Sequence, residues 1–438
     1  MKTPHHPPRA TAARTRASHR SVATPRTQIF GAVLGLSLLS ALASGHPRAA
    51  AATPPCADAL GPRAIGECLD EALRTHLDGA LLSGVLLVAG PNDEFERSYG
   101  RRSEAEPSPA SVDDLFRVAS VSKPIAAAVA LRLAQDGALD LDAPVQASFP
   151  ELESELADAD PQPRLRDLLT HTAGFRGAGD KISLTDFSHV RYVGGDEGRE
   201  PHYENLNYLL LGEAIERQTG RDFEALSADV LADPALSFGA PVEAPKVRGR
   251  AAGWFRTWDA STLLDEEQVA EVESEGGAAA GLRASPKALA GFMRHLFAGD
   301  FLDAPHRKAL QETRVGPQGL GWAVAERESG ELVHWHNGAL TPYGWNAFAA
   351  WVPSRDCAVV FLGNMDIASG ATDELLFDAL LRSEFSAPAG DSFGRTMITL
   401  LGWRWVFWVF PAVIFAWALW KKRRAGQRDA ASARRRSS

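Results

Sequence analysis

The chain has 438 residues, of which 45% are apolar, and this length is sufficient to bury a large hydrophobic core. Six Lys/Arg residues precede residue 29, and eight follow Trp420 beside a single Asp, which leaves 32 basic against 54 acidic residues between them. Such an acidic central part argues against nucleic acid as a partner.

The N-terminus is first basic and then apolar. Residues 1–28 carry six Lys/Arg and no acid, the apolar run Ile29–Gly45 follows, and small residues continue to Ala52. This order is typical of a signal peptide over residues 1–52. An uncleaved membrane anchor is the alternative, although the run is shorter than a membrane-spanning helix requires.

The segments SGVLLVAG and EFERSYGRR, residues 83–90 and 94–102, predict a β-hairpin at the start of the exported part. Cys56 and Cys68 precede it and are close enough in sequence to pair, whereas Cys357 lies in an apolar run near the other end. We therefore expect one disulfide at most.

The segment Leu115–Gly137 places Ser120 three residues before Lys123, at the start of an alanine-rich run. Pro124 fits only the first turn of a helix, and Gly137 fits its end. Residues three apart share a helix face, so Lys123 can take the proton of Ser120, and the free N–H groups there can hold an oxyanion. On these residues alone, Ser120 as a helix cap and Lys123 as a solvated side chain remain the alternative.

Two further polar motifs follow along the chain. Tyr203 and Asn205 form a Y-x-N ahead of an apolar helix, and His336 and Gly338 form an H-x-G between predicted strands. Each has a structural alternative, since Tyr203 could be a core aromatic and Asn337 with Gly338 could form a hairpin turn.

The C-terminal half of the exported part predicts four successive strands and a closing helix. The strands are GLGWAVAER, GELVHWH, WNAFAAWVP and CAVVFLGN, and the helix is TDELLFDALLRSEF, residues 372–385. Because strands stand at both ends with helices between them, we expect an α+β domain over residues 53–385. Its single antiparallel sheet would unite the two ends and pack against a mainly helical region.

The chain ends with features of a membrane anchor. After a linker over residues 386–397, the run Ile398–Trp420 holds 23 residues with one charge, Arg404, and as a helix it would be about 35 Å long. A basic tail follows over residues 421–438, so we expect this tail in the cytoplasm and the domain in the periplasm or outside the cell. A buried core helix is the alternative, but it does not explain the basic tail.

The motifs S-x-x-K, Y-x-N and H-x-G, in this order and at these spacings, resemble the serine β-lactamase and penicillin-binding-protein superfamily. The branch that the chain resembles is that of class C β-lactamase-like esterases and D,D-peptidases. The resemblance covers residues 81–385 and includes the blocks LRDLLTHTAGF and GGAAAGLRASPKALAGFM. It implies a β-lactamase/transpeptidase-like fold.

The resemblance also assigns roles to individual residues. It implies that Ser120 is the acylated nucleophile and that Lys123 and Tyr203 share the work of the general base. Asn205 would bind the amide of the substrate. The N–H groups of Ser120 and Ala339 would form the oxyanion hole.

The third motif departs from the family pattern. Penicillin-recognising members usually carry Lys-Thr-Gly, whose cation helps to bind a carboxylate, whereas this chain has His336, Asn337 and Gly338. His336 would line the site, and we expect weaker binding of β-lactams. His334 and His336 form an H-x-H without an acidic or cysteine partner at ligand spacing, so we expect neither a metal nor a cofactor. His171, in LLTHTAGF, recurs in the family pattern, and we interpret it as a structural residue near the site.

The resemblance predicts a membrane-anchored serine hydrolase that acts through an acyl-enzyme on an ester or amide. Its substrate would be a small ester, a D-amino-acid or peptidoglycan-like peptide, or a β-lactam-like molecule. The alternative is a penicillin-binding sensor that is acylated without turnover. Only eighteen residues follow Trp420, eight of them Lys or Arg, so we expect no signalling domain, which favours the hydrolase.

Overall fold

The computed structural model describes residues 56, 59–77, 82–103, 106–177, 187–194, 200–239, 276–327, 329–340, 344–365 and 369–381. The predicted signal peptide, linker, transmembrane helix and basic tail lie outside these residues. Among the described residues, no helix has the length and apolar character that a membrane crossing needs.

Helices and strands alternate irregularly along the described chain. The helices are α1 (Pro62–His76), α2 (Ser122–Gln135), α3 (Val145–Ser148), α4 (Leu165–Leu169), α5 (Asn205–Thr219), α6 (Phe223–Leu231), α7 (Pro286–Phe297), α8 (Ala304–Glu312) and α9 (Ser369–Leu381). The strands are β1 (Gly84–Ala89), β2 (Glu94–Tyr99), β3 (Phe116–Arg117), β4 (Phe175–Gly177), β5 (Val190–Tyr192), β6 (Leu236–Phe238), β7 (Leu282–Ala284), β8 (Arg314–Val315), β9 (Gln318–Gly319), β10 (Ala323–Glu326), β11 (Leu332–Leu340), β12 (Trp345–Val352) and β13 (Cys357–Gly363).

The main sheet is antiparallel and runs in the order β2-β1-β13-β12-β11-β10-β9-β8. Strand β1 lies between β2 and β13, with Leu86 opposite Arg97 on one side and Phe361 on the other. The N- and C-terminal segments therefore share one sheet, and the predicted hairpin and four strands are confirmed. The predicted closing helix is confirmed as far as Leu381, and residues 382–385 lie outside the described residues. The α+β fold is confirmed with them.

Two small sheets complete the described part, with the orders β3-β7-β6 and β4-β5. Their strands, like β8 and β9, have no sequence signal, because runs of two or three residues are too short to show the alternation that marks a strand.

The central strands are apolar on both faces because each face covers a separate core. On one face, Val360 and Leu362 pack in a core that includes the buried residues of α2 and α5. On the other face, Val359 and Phe361 pack with residues of α1 and α9, among them Leu69. Alternate residues of one strand point to opposite faces, so β13 joins the two cores.

Helix α2 lies inside the larger core. Its residues from Ser122 to Leu131 are all buried, and six of the helix's fourteen residues are alanines or valines, so neighbouring segments can approach it closely. Gly321 shows this approach, since a Cβ there would lie 2.5 Å from Ala127 Cβ and 3.0 Å from Pro124 Cα. The part of the helix that carries Lys123, from Ser122 to Leu131, is thus enclosed by protein.

The three cysteines form one disulfide, in agreement with the expectation of one at most. Cys56 and Cys68 form a disulfide that ties the segment before α1 to that helix. Cys357 is a buried free thiol on β13.

Candidate active site

Ser120 lies in a 3-10 turn, Ala119–Val121, that leads directly into α2. Ala119 has φ of +49°, a left-handed conformation that is uncommon for a residue with a Cβ and that turns the chain sharply from β3 into the helix. The N-cap residue of α2 is Val121, without a capping side chain. Ser120 is therefore not the helix cap, and its Oγ accepts a hydrogen bond from Lys123 Nζ at 3.0 Å.

Ser122, the neighbouring serine, is fully buried and structurally engaged. Its Oγ donates to Ala119 O at 2.5 Å and accepts from Leu282 N at 2.9 Å. These bonds close the turn and fix it to β7. The partly exposed Ser120 is thus the serine that faces the lysine.

Lys123 is completely buried. Its Nζ also donates to Ala279 O at 2.9 Å, and it lies 4.9 Å from the ring centroid of Tyr203 and 5.9 Å from that of Tyr208. Burial penalises the ammonium form and lowers the pKa of Lys123 from 10.5 to about 7. A neutral amine is therefore abundant at neutral pH, and it can accept the proton of Ser120 while it donates to Ala279 O.

Tyr203 lies just before α5 and is 45% exposed, so it is not a core aromatic. Desolvation by the surrounding protein raises the pKa of its phenol to about 12, and a hydrogen bond with the Ser120 side chain acts in the opposite direction. The phenol is protonated at neutral pH and can donate a proton. Asn205 begins α5 two residues later with an exposed side chain.

The third motif lies inside β11 and not in a hairpin turn. The pairing of β11 with β10 ends at Trp335, whereas its pairing with β12 continues to Leu340. A Cβ on Gly338 would lie 2.9 Å from Ser120 N and would collide with Val118 O. Only glycine lets this strand edge approach the serine turn so closely.

Ala339 follows Gly338 on the same edge, opposite Asn346 of β12, and is exposed. The backbone of Ser120 and the strand edge that bears Ala339 are thus neighbours, as an oxyanion hole requires. The assignment of the two N–H groups to that hole stays a prediction.

His336 is buried, and its ring centroid lies 6.1 Å from that of Tyr203. Its Nδ1 donates to Asn337 O at 2.6 Å, since a carbonyl can only accept. Burial lowers the pKa of His336 to about 3, and the charge of Lys123 acts in the same direction. His336 is therefore neutral and brings no positive charge to the site.

His334 lies two residues earlier on the strand and has a separate partner, with its Nε2 donating to Gln311 O at 3.2 Å. Across the described ranges, no group of three or more His, Cys, Asp or Glu is arranged to hold a metal ion.

The structure brings Ser120, Lys123, Tyr203, His336 and Gly338 into one site. Three contributors to it could not be predicted from the sequence. They are the carbonyl of Ala279, the ring of Tyr208 and the hydrogen bonds of Ser122. A carbonyl contact between residues 156 positions apart leaves no sequence signal, because every residue type can supply it.

The α+β fold and the contact between Ser120 and Lys123 are those of serine β-lactamases and penicillin-binding proteins. The chain belongs to the beta-lactamase family, whose model matches residues 69–381.

Comparisons with individual proteins agree with this family. The chain is 32% identical over 209 residues to esterase EstB of Burkholderia gladioli, a match that covers 42% of this chain and 53% of the esterase. This chain thus spans about half the length of that relative.

Solved structures of two further proteins share the fold. The D-amino acid amidase of Ochrobactrum anthropi SV3 superposes with a TM-score of 0.57 at 21% identity, over 71% of this chain and 98% of the amidase. A beta-lactamase of Sulfitobacter sp. EE-36 gives 0.56 at 17% identity, over 72% of this chain and 96% of its own.

Proposed function

We propose that this protein is a serine hydrolase that transfers an acyl group from an ester or amide to Ser120 and then releases it to water. The observation that carries the proposal is the 3.0 Å contact between Ser120 Oγ and Lys123 Nζ. Burial makes this lysine a base at neutral pH, because it lowers the pKa of Lys123 to about 7. A serine hydroxyl is a weak nucleophile until such a base takes its proton.

In the acylation step, Ser120 Oγ attacks the substrate carbonyl while its proton passes to the amine of Lys123. The negative charge that develops on the carbonyl oxygen meets the N–H groups of Ser120 and Ala339. Tyr203, protonated and hydrogen-bonded to Ser120, then gives a proton to the leaving alcohol or amine and regains one from Lys123. Water repeats the sequence on the acyl-enzyme and frees Ser120.

We further propose that the preferred substrates carry no carboxylate next to the reacting bond. A neutral His336 supplies no cation to pair with such a group. The similarity to an esterase supports small esters as substrates, and the structural similarity to a D-amino acid amidase supports amino acid amides and D-amino-acid peptides. Asn205 would bind the amide of such substrates.

The proposed hydrolase is anchored to a membrane by residues 398–420, with the domain in the periplasm or outside the cell. The apolar run and the basic tail after it support this topology. Protease added to intact spheroplasts is expected to digest the domain, and protection of the domain until lysis would contradict the proposal.

A turnover assay of the full chain in detergent tests the proposed activity. With p-nitrophenyl butyrate, D-phenylalanine amide and a chromogenic cephalosporin, we expect sustained turnover of the ester or the amide and slow or no turnover of the cephalosporin. A burst of one equivalent without further turnover would instead support the penicillin-binding sensor. The Ser120→Ala variant is the matched control for hydrolysis that does not depend on the site.

A further inference from the structure

A buried histidine lies directly behind Tyr203. His171 follows α4, has φ of +59°, and is only 3% exposed. The left-handed conformation reverses the chain after α4, so that His171 meets the segment that leads into α5. Such a conformation is unfavourable for a residue with a Cβ, and it persists where the surroundings hold it.

Three hydrogen bonds join His171 to residues on both sides of Tyr203. The carbonyl of His171 accepts from His202 N at 2.9 Å. Its Nδ1 lies 3.2 Å from Glu204 N and 3.1 Å from Asn207 Nδ2. Both of these nitrogens only donate, so Nδ1 accepts from both and the proton of the neutral ring is on Nε2.

The ring of His171 also packs against the aromatic side chains of the site. Its centroid is 4.6 Å from that of Tyr203, with 34° between the planes, and 5.4 Å from that of Tyr208. Burial lowers the pKa of His171 to about 3, and the charge of Lys123 acts in the same direction. Nδ1 therefore stays an acceptor over the whole range in which Lys123 titrates.

These contacts make His171 a poor base and a good support. Its lone pair is occupied by two donors, and its ring contacts the ring of Tyr203 while Lys123 contacts Ser120. We propose that His171 is a positioning residue that, by accepting two hydrogen bonds at Nδ1, holds Tyr203 where its hydroxyl reaches Ser120. The inference rests on the proposed function, because the position of Tyr203 affects a rate only if Ser120 is acylated.

A matched pair of variants isolates the acceptor. His171→Asn and His171→Gly both suit a left-handed backbone, and both remove the ring. Asparagine keeps an acceptor, Oδ1, at about the place of Nδ1, whereas glycine keeps none. The difference between the two variants therefore reports the hydrogen bonds to the segment of Tyr203, apart from ring packing and backbone strain.

With p-nitrophenyl butyrate, we expect His171→Gly to lower kcat by about 10²-fold, the scale of a misplacement of about 1 Å. We expect KM to change by less than about 3-fold, because His171 is buried behind Tyr203, and His171→Asn to recover about 10-fold of the loss. Equal losses of kcat in the two variants would overturn the inference. So would a His171→Gly variant with the kcat of the unmodified protein.

A spectroscopic measurement separates this inference from the proposed function. In the full chain with 15N-labelled histidine, the resonances of His171 are those that disappear in His171→Asn. We expect the Nε2-protonated tautomer without titration between about pH 5 and 9, and an Nδ1-protonated ring would overturn the inference even in an active enzyme. Failure of the unmodified chain to turn over ester or amide would instead refute the proposed function.

Discussion

Replacing Lys123 by methionine should abolish activity and yet stabilise the protein. Holding the pKa of a buried lysine at about 7 instead of 10.5 costs the folded state roughly 4 kcal/mol at pH 7. Methionine fills a similar volume without a charge. It loses the hydrogen bonds to Ser120 and Ala279, worth about 1 kcal/mol each. The variant should therefore be about 2 kcal/mol more stable at pH 7.

The pH dependence of this difference identifies its cause. Between pH 7 and 10.5 the unfolded chain binds a proton at Lys123 that the folded protein lacks, so the stability of the unmodified protein rises with pH. The cost is fully present below pH 7 and falls to roughly 2 kcal/mol at pH 9, where the two proteins should be nearly equal in stability.

Urea unfolding at pH 7, 8 and 9, followed by tryptophan fluorescence, measures the difference in the free energy of unfolding. Lys308, whose side chain is 71% exposed, supplies the matched control for replacing a lysine by methionine, and the change caused by Lys308→Met is subtracted at each pH. A Lys123→Met difference that is the same at pH 7 and pH 9 would show that burial does not lower the pKa of Lys123.

Three further results are expected. In the unmodified enzyme, kcat/KM for a neutral ester should fall about tenfold for each pH unit below about 7, because protonated Lys123 cannot act as a base. A kcat/KM that is unchanged down to pH 5 would contradict this role of Lys123. Gly338→Ala should lower kcat by about 10²-fold or more, because its Cβ would displace the turn that carries Ser120. Gly291→Ala, whose Cβ meets nothing within 4 Å, should have no effect, and equal kcat in both variants would contradict the account. Lys123→Ala and Tyr203→Phe should each slow acylation by about 10²-fold or more, and the double variant by far less than the product, whereas fully multiplicative losses would show independent roles.

The sequence predicts the local part of the site well, because that part depends on helix geometry. Ser120 and Lys123 are three residues apart on one helical face, and Pro124 fixes where the helix can begin, so their contact follows from spacing. The main sheet is predictable for a similar reason, since its long strands show clear apolar runs and alternation.

The rest of the site depends on contacts between distant segments. Ala279 meets Lys123 through a backbone carbonyl, which any residue could supply. The family resemblance indicates that His171 is structural, but only the structure shows its two donors and its contact with Tyr203. The lowered pKa of Lys123 also has no sequence signal, because it arises from enclosure by several segments at once.

The role of Ser120 as the nucleophile is tested by identifying the serine that reacts. The full chain is treated with a fluorophosphonate, and its peptides are analysed by mass spectrometry in the unmodified protein and in the Ser120→Ala and Ser122→Ala variants. The label should be on Ser120, and Ser120→Ala should abolish both labelling and turnover. Ser122→Ala should retain substantial labelling, because Ser122 Oγ is hydrogen-bonded to Ala119 O and Leu282 N. A label on Ser122, or turnover retained in Ser120→Ala, would contradict the account.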